Sequence, residues 1–397
     1  MMSKRPVSSR AKSLMAVGTA VVGFTALTVV YSAPAFADPA VVFVAVGSDT
    51  TQDVMNQFSY DIGANELGSY NAVNPVTAVI GENITPVVAG SPTTNCSFTR
   101  PDGSTQGLDA LRKSINQSTT AAQLTNPPQA GCVTFSRSSS AVSAANQAND
   151  GSLVYIPFAF DDVSIVTGAT TNITTANDFT KADLVTLFTN CGDVTEGGVT
   201  YDPNTPVTSG DVGIDLYVPQ SGSGTLSYWS TALGFSTSPL PTCDHQTILA
   251  GPEAGTTVEE NDGTAVESDP NGIFPFSVGQ WISQRNGHDD RRHGAVETDV
   301  NGVSPFSNGN SATGTLNYSF PLNRELYNIA QYSEVTPGGS NYNAALNQLL
   351  VGPNSALCQD SFTIASYGFA ALNSQTTDTC GSTANSLRAF DPTTNPV

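Results

Sequence analysis

Val41-Val42-Phe43-Val44-Ala45-Val46-Gly47-Ser48-Asp49-Thr50-Thr51 is the stretch from which the fold is read. An apolar, largely β-branched run ends in a Gly/Ser turn. Val54, Met55 and Phe58 then recur at helical spacing. The same grammar returns three times. Pro101-Asp102-Gly103-Ser104-Thr105 precedes Leu108, Leu111 and Ile115. Residues 134–140, Thr-Phe-Ser-Arg-Ser-Ser-Ser, precede an Ala-rich segment at 141–148. Leu216-Tyr217-Val218 leads through Gln220-Ser221-Gly222-Ser223-Gly224-Thr225 to Leu226, Trp229 and Leu233. Strands alternating with helices predict an α/β architecture. Residues 153–166 and 265–277 read as buried strands or crossings between lobes. Residues 181–188 read as a helix begun near Thr180.

The chain has 397 residues, with 34 acidic and 14 basic side chains and a formal net charge of −20. That balance argues against nucleic acid, which is gripped by clustered Lys and Arg, and against anionic membrane surfaces. A hydrophobic content of 39% separates the chain from disordered sequences. The first 37 residues contain no carboxylate. Lys4, Arg5, Arg10 and Lys12 precede an apolar stretch, and Ala35-Phe36-Ala37 fits a leader-peptidase site. A signal peptide over 1–37, cleaved after Ala37, is therefore expected, and with it a secreted, extracellular or periplasmic location. No Cys sits at the cleavage region, so a lipid anchor is not expected. Cleavage leaves ten basic groups against the 34 acidic ones.

Cys96, Cys132, Cys191, Cys243, Cys358 and Cys380 all follow the leader. An even count in an oxidising compartment reads as three disulfides. Sequence leaves many connectivities open. Sequential pairing is expected because each pair then closes a local stretch. No C-x-x-C and only three His make metal binding a weak alternative.

Four Ser/Thr/Gly loops thus precede predicted helices. A helix start offers unpaired N–H groups and partial positive charge, and neighbouring hydroxyls add donors. Several such ends brought together make an anion site that needs few cations. In their order, the segments at Gly47–Thr51, Gly103–Gly107, Phe135–Ser140 and Ser221–Thr225 resemble the periplasmic phosphate-binding proteins of ABC importers, and most closely the secreted actinobacterial-type branch. Ile156-Pro157-Phe158-Ala159-Phe160-Asp161-Asp162-Val163-Ser164 is similar to the family's first inter-lobe crossing, and 179–188 to the helix after it.

The resemblance implies a two-lobed periplasmic-binding-protein-like (type II) fold with a hinge and a ligand cleft. Its lobes would be 38–155 with 290–397, and 156–289. It implies a monomeric, non-enzymatic protein that captures phosphate without a cofactor, partnered by an importer permease. Carried over by position, the ligand residues are Ser48, Asp49 and Thr50, then Ser104, then Ser138 and Ser139, then Ser223, Gly224 and Thr225. Two departures stand out. The family's Arg falls on Pro219 or Gln220, and its third-loop carboxylate falls on Ser139. Arg137 is expected to restore the guanidinium, and Asp49 the acceptor. Glu260-Asn261-Asp262-Gly263-Thr264-Ala265-Val266 also resembles a second-lobe segment and reads mainly as a turn into a strand.

Other constellations carry less. His288 and His293 with Asp289 and Asp290 suggest a metal site, but the Gly/Asn-rich flanks favour a solvated loop. A serine hydrolase would need a G-x-S-x-G elbow, which Ser223 lacks. A wall- or glycan-associated adhesion protein would use Trp229 and Trp281 as contacts, although packing in a helix suits both better.

Overall fold

The computed structural model describes residues 41–391 apart from 64, 78, 91–95 and 118–123, so the expected leader lies outside the described residues. β1 (Phe43–Gly47) is buried at every position, as a strand covered on both faces must be. α1 (Gln52–Ile62) follows and turns Val54, Met55 and Phe58 into the core. β2 (Leu67–Ser69) runs parallel to β1, and β3 (Asn83–Ile84) pairs antiparallel with β4 (Phe98–Thr99). α2 (Ser104–Ser114) leads to β5 (Phe135–Ser138), the second parallel neighbour of β1.

The helix expected over 141–148 does not form. Its backbone is engaged elsewhere: Ala148 N–H donates to Arg388 O at 3.0 Å, and Phe390 N–H donates to Asn146 O at 2.9 Å. Alanine content favoured a helix, and tertiary pairing overrode it.

β6 (Leu153–Thr167) is buried over all 15 residues. α3 (Lys181–Asn190) begins as the sequence suggests, with a reciprocal capping box between Thr180 and Asp183. β7 (Val194–Glu196), β8 (Val199–Asp202) and β9 (Val212–Gly213) form a small separate sheet. β10 (Asp215–Tyr217) leads into α4 (Gly224–Leu233), followed by β11 (Asp244–His245). The expected turn into a strand near 260–266 is instead a turn into a one-turn helix, α5 (Thr264–Glu267). The strand starts only at β12 (Gly272–Ser277), after Pro270 has ended that segment. α6 (Val278–Arg285) and β13 (Val296–Glu297) precede the return strand β14 (Asn323–Gln331). α7 (Tyr332–Val335), α8 (Ala344–Leu350), α9 (Ala356–Gln359), α10 (Ser361–Ser366) and β15 (Arg388–Ala389) complete the described chain.

The main sheet runs in the order β11-β10-β12-β6-β14-β5-β1-β2, with β13 and β15 also on β6. Two parallel blocks, β5-β1-β2 and β11-β10-β12, flank a central antiparallel pair, β6 with β14. β14 and β12 both pair with β6, on different stretches of it, so this one strand serves both halves. The register slips between Leu326 and Tyr327, a bulge near its middle.

Three apolar clusters follow the same division. One joins residues from 41–159 with residues from 326–390. The others are built from 160–322. Residues 290–322, grouped with the first lobe from sequence, supply Ala295, Val300, Phe306, Leu316, Phe320 and Leu322 to these latter clusters. Trp229 and Trp281 are both buried. The disulfides are Cys96–Cys132, Cys191–Cys243 and Cys358–Cys380, the sequential pairing. Among the described residues no helix is long and apolar enough to cross a membrane.

Candidate functional site

The chain segments that follow the carboxyl ends of β1, β5 and β10 converge beside the central β6–β14 pair. Open α/β sheets place ligands at such ends. Thr50 and Ser139 lie just after β1 and β5, Thr225 lies in the first turn of α4, and all three are fully buried. Their hydroxyls share one acceptor, Oε1 of Glu260. Thr50 Oγ1 donates to it at 2.6 Å, Thr225 Oγ1 at 2.7 Å and Ser139 Oγ at 3.4 Å. Glu260 is 1% exposed, and its Oε2 accepts no bond from the described residues.

A guanidinium stands behind the hydroxyls. Arg324, on β14, donates to Thr225 Oγ1 at 3.0 Å, Thr50 Oγ1 at 3.4 Å and Ser139 O at 3.1 Å. It also pairs with Asp161 of β6 at 2.8 Å. Asp161 accepts further bonds from Ser277 Oγ and the Gly279 N–H at the start of α6. Each threonine hydroxyl therefore accepts from a cation and donates towards one point. That polarity strengthens its donation to an anion.

The remaining predicted residues sort into supports and bystanders. Ser48 Oγ donates to Ser139 Oγ at 3.0 Å, and Ser104 Oγ accepts from Ser139 N–H at 3.0 Å. Both orient Ser139. Gly224 allows the close packing: a Cβ there would lie 2.2 Å from both Ser104 Oγ and Ser139 Oγ. Ser223 caps α4 through Leu226 N–H, and Ser138 Oγ donates to Ser140 O, so neither reaches the shared point.

Arg137 corrects the sequence reading. Its guanidinium is fully buried and donates to the carbonyls of Ala45, Gly47, Ser48 and Tyr70 and to Ser69 Oγ. It organises the floor under the first loop, and the guanidinium at the hydroxyls is that of Arg324. Asp49 is likewise engaged. Asn261 Nδ2 donates to it at 2.9 Å and Arg291 pairs with it at 3.2 Å. The charged loop at 287–294, expected to be solvated, thus sends Arg291 inward, while Asp289 stays exposed. His288 stacks on Tyr367, and His293 approaches Asp262 and Glu267.

Gln220, one of the two positions on which the family's Arg was expected to fall, bridges the segments. Its Nε2 donates to Asp102 Oδ1 at 3.1 Å and its Oε1 accepts from Glu260 N–H at 2.9 Å. Asn261, at φ 57°, follows in the left-handed region that Asn tolerates. Gln284 Nε2 holds the Asn261 carbonyl at 2.9 Å. Glu260 and Arg324 were not assigned from sequence. Glu260 lay in a segment read as a turn, and Arg324 in a strand with no motif around it.

Carboxylates crowd the site. Burial pushes Asp49 up despite Arg291, and pushes Asp161 up despite Arg324. Burial raises Asp53 to about 7, and burial with the nearby Asp49 raises Asp102 to about 7. Burial, with Asp102 and Asp49 adding, takes Glu259 to about 8. Burial opposes the charge on Arg291, but Asp49 and Asp53 hold its pKa above the ordinary value. Beside this network lies a cavity of about 540 Å³, whose lining includes Ser104, Ser138, Tyr155 and Tyr228. The arrangement is a focus of donors with a fixed positive charge behind it. It holds a carboxylate oxygen.

A family model described as a PBP superfamily domain matches residues 37–367. No curated protein matches. Among solved structures, the chain is similar to a Clostridium perfringens substrate-binding protein ascribed to a phosphate ABC transporter, with phosphate bound. Identity is 13%, coverage is 84% of this chain and 100% of that one, and the TM-score is 0.47. An ABC-type phosphate transport receptor from Vibrio cholerae gives 15% identity, 83% and 99% coverage and a TM-score of 0.46. PstS from Borrelia burgdorferi gives 15%, 84% and 100%, and 0.41. With its family model spanning most of its length, the chain belongs to the PBP superfamily.

Proposed function

We propose that this protein captures an oxyanion, phosphate first among candidates, between two lobes outside the cell and hands it to an importer permease. One observation carries the reading. Hydroxyls from three segments far apart in sequence, backed by Arg324, point at a single site already holding a carboxylate oxygen. Donors so arranged suit a tetrahedral oxyanion, and fixed dipoles in a dry cleft outweigh a remote surface charge that salt screens. Thr50, Ser139, Thr225 and Arg324 touch the ligand, Ser48 and Ser104 steady them, and Gly224 leaves the room. The lobes are 41–159 with 323–391, and 160–322, with β6 and β14 as the crossings. The mature chain begins after Ala37 and acts as a monomer by closure, with no chemical step.

Calorimetry of the dialysed mature protein against phosphate, sulfate and a panel of sugars tests the reading. Saturable heat with phosphate is expected. Silence towards every oxyanion at millimolar concentration, or heat with a sugar alone, would sink it.

A further inference from the structure

The place where an anion is expected is held by the chain itself. Glu260 Oε1 takes the hydroxyls of Thr50, Ser139 and Thr225; the two threonine hydroxyls in turn accept from Arg324, and that of Ser139 accepts from Ser48 Oγ. We infer that Glu260 is a tethered competitor for the ligand, which must expel its carboxylate from the donor focus to bind, and that Glu260 thereby sets which anions enter.

The inference rests on the oxyanion reading above, and three features argue for competition rather than a passive contact. First, the bonds are those an incoming oxygen would need: two of them are 2.6 and 2.7 Å long, with a guanidinium polarising both hydroxyls. Second, the backbone beneath is pinned. Glu260 N–H is held by Gln220, and the Asn261 side chain is held by Asp49 and Thr50. The carboxylate is thus kept at high effective concentration. Third, its second oxygen is buried and accepts no bond from the described residues, so the carboxylate is held at the donor focus through one oxygen alone.

A tethered monoanion at high effective concentration outcompetes a free monoanion. A dianion such as hydrogen phosphate or sulfate draws more from Arg324 and offers more acceptor oxygens, so it wins the exchange. The occupied state also acts as a tax on affinity: a ligand-competent fraction of one in ten weakens apparent binding about tenfold.

The test uses the mature protein, inorganic phosphate and sodium acetate. Glu260→Gln keeps the shape and removes the charge; Glu260→Ala empties the focus. Phosphate should bind Glu260→Gln at least about tenfold more tightly than wild type. Acetate should raise the melting temperature of Glu260→Ala and compete there with phosphate, while leaving wild type unmoved. A merely structural glutamate would not be replaced by free acetate. Unchanged or weaker phosphate binding by Glu260→Gln overturns the inference while leaving oxyanion capture standing, since wild type still binds. No phosphate binding by any of the three proteins overturns both. If Glu260→Ala does not fold, the Glu260→Gln titration decides alone.

Discussion

Two arginines are buried on either side of the same loop, and they do opposite work. Arg137, beneath residues 45–48, meets carbonyls and one serine. With no carboxylate among its hydrogen-bond partners, burial pulls its pKa down to about 9, and Asp49 and Asp53 only partly offset this. Arg324, above residue 50, meets Asp161 and two threonine hydroxyls. The first spreads its donors over backbone and so fixes loop shape. The second is neutralised on one edge by Asp161 and polarises hydroxyls with the other. A buried guanidinium is thus no marker of an anion site; what distinguishes Arg324 is that two of its acceptors donate onward to one shared point.

Removing Arg324 should have the largest effect. Arg324→Met is expected to weaken phosphate binding at least about a hundredfold, the loss of charge-assisted donors. Stability should fall by about 3–5 kcal/mol, because Asp161 is left buried without its partner. Pairing it with Asp161→Leu should restore much of the stability in denaturant titrations and none of the binding. Retained affinity in either protein would erase the contrast. Next, Arg137→Met is expected to cost about 3 kcal/mol of stability by orphaning buried carbonyls. Phosphate affinity of the folded fraction should change by less than about tenfold, since no direct ligand bond goes. A hundredfold loss at unchanged stability would return Arg137 to the ligand.

Titration probes the crowded carboxylates around the first loop. Asp53 and Asp102 keep their protons up to about 7 in the fold, whereas unfolded carboxyls release them near the ordinary value. The folded state therefore holds extra protons between these limits. Their contribution to stability is full at acidic pH and is lost as pH rises towards 7. Asp53→Asn should flatten that decline, measured by urea unfolding at several pH values, by at most about 1.4 kcal/mol per pH unit. Stability that instead rises through this window would show that Arg291 overrides burial. The smallest effects should separate neighbouring serines. Ser139→Ala is expected to weaken binding about tenfold, and Ser138→Ala by less than about twofold, because only Ser139 reaches the focus. Equal losses would mean that the third loop shifts on closing.

Much of the frame could be read from sequence because its signals are local. The run at 41–46 with Val54, Met55 and Phe58 specifies β1 and α1, and Thr180 with Asp183 specifies the start of α3. The cysteine pairs also close near neighbours. Of the site, the hydroxyl loops were legible for the same reason: Thr50, Ser139 and Thr225 lie beside turns with composition cues. Glu260 and Arg324 were not. Thr50 and Glu260 are 210 positions apart, and Arg324 joins them only through the β6–β14 register. Nothing within one segment tells an arginine that will face Asp161 from one that will face carbonyls. The failed helix at 141–148 teaches the converse: an alanine-rich run was claimed by backbone partners at 388–390.

One backbone contact offers a clock. Thr105 N–H, at the start of α2, donates 3.0 Å across the cleft to Gly222 O, at the loop before α4. If the proposed closure is right, this amide loses its acceptor and meets water when the halves part. Its exchange with deuterium therefore measures how often the cleft opens, and saturating ligand should slow that exchange in proportion to occupancy. A single amide thus converts a conformational equilibrium into a rate that mass spectrometry can count.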